Sequence, residues 1–174
     1  MQAILFILQA LLTLIVIAFL LRVVMPFSRA DFRNAIGQAV LKVTNPLVMP
    51  LRKVFKPAGK VDTAAVVALM LVQLVGTTAI HLVAGAPVSL GGIFIVALRD
   101  LVQTILQFYT IAILVYALLS WVAPGTHSPA NELLGRICEP LLAPVRKVIP
   151  PLGALDLSAL FVLIGLQALQ ILIR

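Results

Sequence analysis

The sequence predicts an all-α membrane protein with four transmembrane helices, built as two tandem parallel repeats. Two observations predict this fold class. Of the 174 residues, 62% are hydrophobic and only 11% are charged, which gives more apolar surface than a water-soluble core of this size can bury. In addition, long uncharged segments alternate with two loops that are rich in Pro, Lys and Arg. These loops are expected to be cytoplasmic and to carry amphipathic interfacial helices.

Four apolar segments have roughly the length that a bilayer-spanning helix needs. They cover about residues 3–24, 63–84, 101–122 and 157–173. The first has no Lys or Arg before it and ends near Arg22, so it is expected to be a permanent span rather than a cleaved signal peptide. Gly and Pro residues at 85–92 are expected to end the second span. The short apolar run 93–98 is either an interfacial turn or an extra turn of the third helix.

The distribution of Lys and Arg predicts the orientation, because basic residues near span ends are retained in the cytoplasm. Most of them flank or fill the loops at 25–62 and 123–156, and only Arg99 and Arg174 lie on the opposite side. With four spans, both termini are therefore predicted to face outside. The first loop is strongly basic, whereas acidic residues nearly balance the charge of the second.

An internal duplication relates the two halves, 1–86 and 87–174. A shift of 94 positions, as from Arg52 to Arg146, aligns polar and special residues that composition does not explain. The first copy contains Pro46, Pro50, Arg52, Lys53, Pro57, Gly59 and Asp62, and the second contains Pro140, Pro144, Arg146, Lys147, Pro151, Gly153 and Asp156. Because each repeat has two spans, both are expected to have the same orientation, related by a pseudo-twofold axis along the membrane normal.

The loop residues predict a structure at the membrane surface. The repeated prolines lack the N–H that a continuous helix uses, so only short helical pieces are expected, one of them capped by Asn45. Apolar residues on one face and basic residues elsewhere favour a location on the inner leaflet, against anionic lipid. Gly59 and Gly153 suit turns with positive φ. Asp62 and Asp156 are expected to cap the next helix, and a compatible hypothesis pairs each with the Arg-Lys of a repeat.

Three polar residues stand inside the predicted spans. Gln73 and Gln167 occupy equivalent positions, and because an unpaired amide is costly in hydrocarbon, they are predicted to bond to each other across the bundle. His81 has no second His, Asp or Glu at ligand spacing along the chain, so a helix-packing or interfacial role is favoured over a proton or metal site.

The doubled loop motif, P-x-R-K-V-x-x-P followed by Gly and Asp, resembles the YggT family of small membrane proteins, which is related to the YlmG proteins. The resemblance covers essentially the whole chain. The second copy departs from the first, with Glu139 in place of Asn45 and Pro150 and Ala154 in place of Lys56 and Lys60. The resemblance implies a multi-pass protein of the bacterial inner (plasma) membrane, with links in various members to cell division, envelope integrity, osmotic tolerance or assembly of plastid membrane complexes. It supplies no catalytic residue.

The leading functional hypothesis is a non-enzymatic scaffold or assembly factor whose basic loops meet anionic lipid and a membrane-protein partner or a second copy. The alternative is a small ion or osmotic-stress-related transport or channel protein, with Gln73, Gln167 and His81 lining a path. An enzyme is the least supported class, because no nucleophile, base and orienting group can be assembled. No cofactor or metal site is predicted, and Cys138 is the single cysteine. Nucleic acid is not expected as a partner, since no aromatic stacking array or DNA-reading motif accompanies the basic residues.

Overall fold

A computed structural model describes residues 1–26, 35–59, 61–87, 89–122, 129–148 and 157–173 of the chain. The described residues form six helices, which agrees with the predicted all-α class. They are α1 (Gln2–Val24), α2 (Ala35–Arg52), α3 (Thr63–Val83), α4 (Leu90–Val122), α5 (Pro129–Val148) and α6 (Leu157–Ile173). Within these residues, α1 and α3 and the segment Gly91–Ser120 of α4 are long and apolar enough to cross a membrane.

The fourth predicted span corresponds to α6, a helix of 17 residues. It is apolar, but it is shorter than the roughly 20 residues that a typical span needs. Three spans are therefore supported by length and composition, and the fourth remains a prediction.

The third span begins earlier than residue 101, because α4 is one continuous helix of 33 residues. Residues 93–98 are extra turns of this helix, the second of the two predicted alternatives. Gly91 and Gly92 lie inside the first turn of this helix. Backbone N–H groups in a first turn have no partner within the helix. Ser89 Oγ accepts from Gly92 N–H at 3.2 Å. At about 1.5 Å per residue the helix extends about 50 Å, more than the roughly 30 Å of hydrocarbon in a bilayer.

The proline-containing loop segments form continuous helices, which corrects the prediction of short helical pieces. Pro46 and Pro50 lie inside α2, and Pro140 and Pro144 lie inside α5. In each helix the two prolines are four residues apart and exposed. Each proline lacks the N–H that would bond to the backbone carbonyl four residues earlier. These carbonyl oxygens therefore lie on the exposed side, where water or lipid head groups can bind them. The opposite face of each helix is buried and compensates for the lost hydrogen bonds.

The buried residues form two main clusters, one in each half of the chain. In the first, α1 and α3 pack together and α2 lies across them, with Val16, Phe19, Val48 and Ala65 at the centre. In the second, α4 packs on α6 and α5 lies against both, around Ile113, Cys138, Leu142 and Val162. Helix α4 also contacts α1 and α3 and so joins the two halves.

The two loop segments have the same helical character in both copies. Pro46 and Pro50 lie inside α2, and their counterparts 94 residues later, Pro140 and Pro144, lie inside α5. In each half this proline-containing helix is followed by an apolar helix, α3 in the first and α6 in the second.

Candidate functional site at the basic end of the bundle

A buried arginine lies where α1 ends and α3 begins, at the end of the bundle that we call the basic end because it also carries Arg52, Lys53 and Lys56. Arg22 is only 3% exposed. Its Nη1 donates to Thr44 Oγ1 at 2.9 Å and to Asn45 Oδ1 at 2.7 Å, and its Nε lies 3.9 Å from Asp62 Oδ2. One guanidinium therefore connects α1 with α2 and with the start of α3.

Helix α2 presents two acceptors to this guanidinium. Thr44 is fully buried, and its hydroxyl donates to the carbonyl of Val40 at 2.7 Å, so its oxygen lone pairs are available to Arg22. Asn45 lies within the continuous helix α2 and accepts through Oδ1. The predicted role of Asn45 as a helix cap is therefore wrong, because the helix continues through Pro46.

Asp62 combines the two roles that the sequence predicted as compatible. Its Oδ1 accepts from the backbone N–H of Ala65 at 3.3 Å and so caps α3, while its Oδ2 accepts from Arg52 Nη2. Gly59 precedes it with φ at 61°, the left-handed conformation that the turn was predicted to need. The Asp62 carboxylate thus holds the two ends of the loop together, because it caps α3 and pairs with Arg52, the last residue of α2.

The electrostatics of Asp62 favour its charged form. Burial alone acts to raise the pKa of the carboxyl group. The hydrogen bond and positive charge of Arg52, the N–H of Ala65 and the charge of Arg22 outweigh burial and hold the pKa below its usual value. At neutral pH the site therefore contains a carboxylate between two guanidinium groups.

An open cleft of about 480 Å³ lies beside this network. Its lining includes Arg22, Asn45, Arg52 and Asp62 as polar residues, with Leu41, Met49 and the Pro57–Gly59 turn supplying apolar and backbone surface. The polar groups of the cleft already bond to one another, so the arrangement is typical of a structural clamp. Within the residues that the structure describes, no group of three or more His, Cys, Asp or Glu could hold a metal ion.

Beyond the clamp, the basic end exposes a mixed apolar and basic surface. Lys53 and Lys56 are exposed. Val54 is 74% exposed and Phe55 is 40% exposed, and Met49 is exposed on the last turn of α2. Apolar side chains beside lysines are the composition of a surface that lies at a lipid interface. We call these five residues the α2 surface.

The second copy contains a different set of interactions. At positions equivalent to Arg22 and Thr44 stand Tyr116 and the buried Cys138. A Cβ atom at Gly135 would lie 3.2 Å from Tyr116 Cε2, so the glycine makes room for the tyrosine ring. Arg146 bonds Glu139 of its own helix at 2.9 Å.

Three residues of the predicted motif in the second copy, Pro151, Gly153 and Asp156, lie outside the described residues. Lys147 is exposed on α5. Among the described residues, the complete clamp is seen in the first repeat, and the second repeat shows the ion pair of Arg146 with Glu139 within α5.

Of the three polar residues predicted inside the spans, Gln73 and His81 line the same cavity between α1, α3 and α4, and Gln167 does not join them. Gln73 is 4% exposed and donates through Nε2 to Thr77 Oγ1 on its own helix at 3.1 Å, whereas Gln167 is exposed on α6. This corrects the predicted Gln73–Gln167 pair. The reason is that α3 is covered by α1 and α4, while α6 packs on α4 and α5 and leaves the face with Gln167 open. Gln170 instead donates to Thr110 on α4 at 2.8 Å.

Sequence reasoning missed Arg22 as a site residue, because a basic residue at a span end is explained by orientation alone. The sequence signal that could have indicated its role is the pair of small polar residues in α2, Thr44 and Asn45, on a helix whose inner face is otherwise apolar. Only the packing of α2 against α1 shows that they meet this guanidinium.

Comparison with known proteins gives a consistent family. The sequence profile of the CCB3/YggT family matches residues 1–83 and 95–174. An uncharacterised protein of Pseudomonas aeruginosa is 37% identical, over 98% of this chain and 88% of its own length. The protein YggT of Escherichia coli K12, also uncharacterised, is 32% identical over 98% of this chain and 88% of its own length.

A further relative in Vibrio alginolyticus is 34% identical over 96% of this chain and 91% of its own length. No solved structure matches the chain. The profile covers both halves and the relatives align over nearly the whole length, so this chain belongs to the CCB3/YggT family.

Proposed function

We propose that the protein is a non-enzymatic membrane scaffold that holds the α2 surface in a fixed position for anionic lipid and a membrane-protein partner. The observation that carries this proposal is the clamp of Arg22, Arg52 and Asp62. A buried guanidinium and a capping carboxylate attach α2 to two helices of the bundle. A surface helix that only followed the membrane would not need such an internal network.

The clamp divides the basic residues into two classes with different expected effects. Arg52 and Arg146 form ion pairs within the protein, with Asp62 and Glu139. Lys147 is exposed on α5 but is not part of the α2 surface, whereas Lys53 and Lys56 are exposed there and remain available to lipid head groups. Near an anionic membrane surface each such lysine contributes about 1 kcal/mol. Alanine at Arg52 would therefore mix a folding effect with a binding effect.

The topology that this function requires has four spans with the basic end in the cytoplasm of a bacterial inner membrane. The equivalent prolines inside α2 and α5 support the repeat, and the second family match begins 94 residues after the first. A role in envelope integrity or cell division, which the family resemblance implied, is part of this proposal through the partner.

Lipid binding at the α2 surface is tested with the full-length protein in nanodiscs that contain a photoactivatable phosphatidylglycerol. The double variant Lys53→Gln/Lys56→Gln is expected to lose most of its lipid adducts while it keeps its melting temperature. Lys147→Gln, on the nearly charge-balanced α5, is the control and is expected to keep its adducts. Equal labelling of wild type and double variant contradicts the lipid role.

The partner is tested by crosslinking in intact cells, followed by purification of the complexes. The double variant Lys53→Gln/Phe55→Ser is expected to lose specific crosslinked bands that the wild type and Lys147→Gln retain. An unchanged band pattern, at equal protein level, argues against a scaffold that works through the α2 surface.

The transport alternative loses one of its supports. It placed Gln73, His81 and Gln167 on one path, whereas Gln167 lies on an exposed face of α6, apart from the cavity that Gln73 and His81 line. The scaffold is therefore the function that the geometry of the described residues supports best.

A further inference from the structure

A partly open polar cavity lies between α1, α3 and α4, in helices that are otherwise strongly apolar. It has a volume of about 90 Å³. Two of its lining residues are apolar, Leu12 and Ile80. The others are polar, namely Gln9, Thr13, Gln73, Thr77, His81, Asp100 and Thr104. A space of this size accommodates about three water molecules at roughly 30 Å³ each, and its polar walls supply their hydrogen bonds.

The hydroxyl groups present oxygen lone pairs to this space. Thr13 Oγ1 donates to the carbonyl of Gln9 at 2.8 Å, and Thr104 Oγ1 donates to the carbonyl of Asp100 at 2.8 Å. Each hydroxyl proton is thus used within its own helix. What remains on both oxygens is acceptor capacity.

The hydrogen bonding of His81 also leaves a nitrogen acceptor. His81 Nδ1 lies 2.9 Å from the carbonyl oxygen of Thr77, and because a carbonyl only accepts, Nδ1 carries the proton. In the neutral ring Nε2 is then an acceptor. Gln73 donates through Nε2 to Thr77 Oγ1, which leaves its Oε1 as a further acceptor.

Asp100 brings the formal charge. It lines the cavity from α4, and its carboxylate interacts electrostatically with His81 and with its neighbour Arg99. Arg99 Nε itself donates to the carbonyl of Ile173 at the end of α6. Asp100 is the acidic residue among the nine that line the cavity, and α1 adds no titratable group to the lining. A carboxylate among apolar spans usually has a function, and Arg99 and His81 lie near enough to act on this one electrostatically.

We propose that this cavity binds one hydrated alkali-metal ion, Na⁺ or K⁺, with the Asp100 carboxylate as counter-charge. Gln73, Thr13 and Thr104 supply oxygen acceptors directly or through water, and His81 Nε2 accepts from the water shell. Hard oxygen ligands suit such a cation, and a single carboxylate matches one positive charge rather than two. The site is separate from the α2 surface and does not depend on the scaffold role.

The test is thermal unfolding of the purified full-length protein in detergent, with NaCl or KCl exchanged for N-methylglucamine chloride at constant ionic strength. The wild type is expected to show a saturable rise in melting temperature with Na⁺ or K⁺. In Asp100→Asn the apparent affinity is expected to fall about tenfold or more, a loss of at least about 1.4 kcal/mol. Glu132→Gln, which removes an exposed carboxylate of α5, is the control and is expected to respond like the wild type.

A second variant covers the case in which Asp100→Asn does not fold. Thr13→Val/Thr104→Val keeps the shape and the charge of the cavity but removes two oxygen acceptors, and its cation response is expected to weaken. A wild-type melting temperature that is the same in all three salts overturns the proposal. So does a full cation response in Asp100→Asn, or a response to pH alone, which would indicate a proton instead of a metal ion.

Discussion

Arg22 Nη1 donates to Asn45 Oδ1 at 2.7 Å, and this contact joins a transmembrane helix to an amphipathic helix at the basic end of the bundle. Because the same guanidinium nitrogen also reaches Thr44, two neighbouring residues of α2 are held by a single side chain. The position of α2 is therefore fixed by hydrogen bonds as well as by apolar packing, and several consequences can be measured.

Replacing Arg22 by Met is expected to destabilise the protein by about 3 kcal/mol, because Thr44, Asn45 and Asp62 lose a buried charged partner. Arg22→Lys is expected to fall between wild type and Met, since an ammonium keeps the charge but not the planar donor set. The measurement is the denaturant midpoint in detergent. Arg136→Met, at an exposed i,i+4 pair, is the control and is expected to change stability by less than about 1 kcal/mol. Equal effects at both arginines would contradict the clamp.

The ion pairs of Asp62 predict that the stability of the protein depends on pH in the acidic range. Its folded-state pKa lies below the ordinary value of 3.8, so the unfolded state binds protons first as the pH falls. The stabilisation is fully present above pH 3.8 and disappears as the pH falls through the folded pKa. The melting-temperature difference between wild type and Asp62→Asn is therefore expected to be constant from pH 7 to about pH 5 and to shrink below pH 3.8. A constant difference down to the lowest pH would contradict this assignment.

Cys138 is expected to resist alkylation in the folded protein. It is fully buried on α5, and burial raises its pKa to about 11. At pH 7.4 only roughly one thiol in several thousand is then ionised, and the reagent also lacks access. Maleimide should label the wild type only after SDS denaturation, whereas Lys147→Cys in a Cys138→Ser background should label at once. Fast labelling of native Cys138 would show that α5 does not pack as described.

Gly59 is expected to be sensitive to substitution for conformational reasons alone. A Cβ atom there meets nothing within 4 Å, but φ is +61°. Gly59→Ala is expected to cost about 1 kcal/mol, and Gly59→Asn less, because Asn tolerates the left-handed region. Gly91→Ala, in a helical turn with equally open space, is the control and is expected to be neutral or slightly stabilising. A cost at Gly59 that grows with side-chain size would indicate a contact instead.

Much of the fold followed from local properties of the chain. Apolar runs of about 20 residues predicted α1, α3 and the apolar part of α4. A backbone that crosses lipid can satisfy its hydrogen bonds only within its own helix. The turn at Gly59 and the cap at Asp62 also follow from residue type. The helicity of α2 did not follow, since Pro46 and Pro50 predict breaks unless one knows that their face is exposed and the other is buried.

The sequence by itself determined the membrane class, the internal duplication and the set of polar residues that the two copies share. The tertiary structure decided which of them meet. Arg22 reaches Thr44 and Asn45 because α2 folds back on α1, and Asp100 faces His81 because α4 crosses α3. It also decided that Gln73 is buried while Gln167 is exposed, since α4 covers α3 and no helix of the described chain covers that face of α6. Periodicity reports the face on which a residue lies, whereas its partner depends on which helices pack against that face.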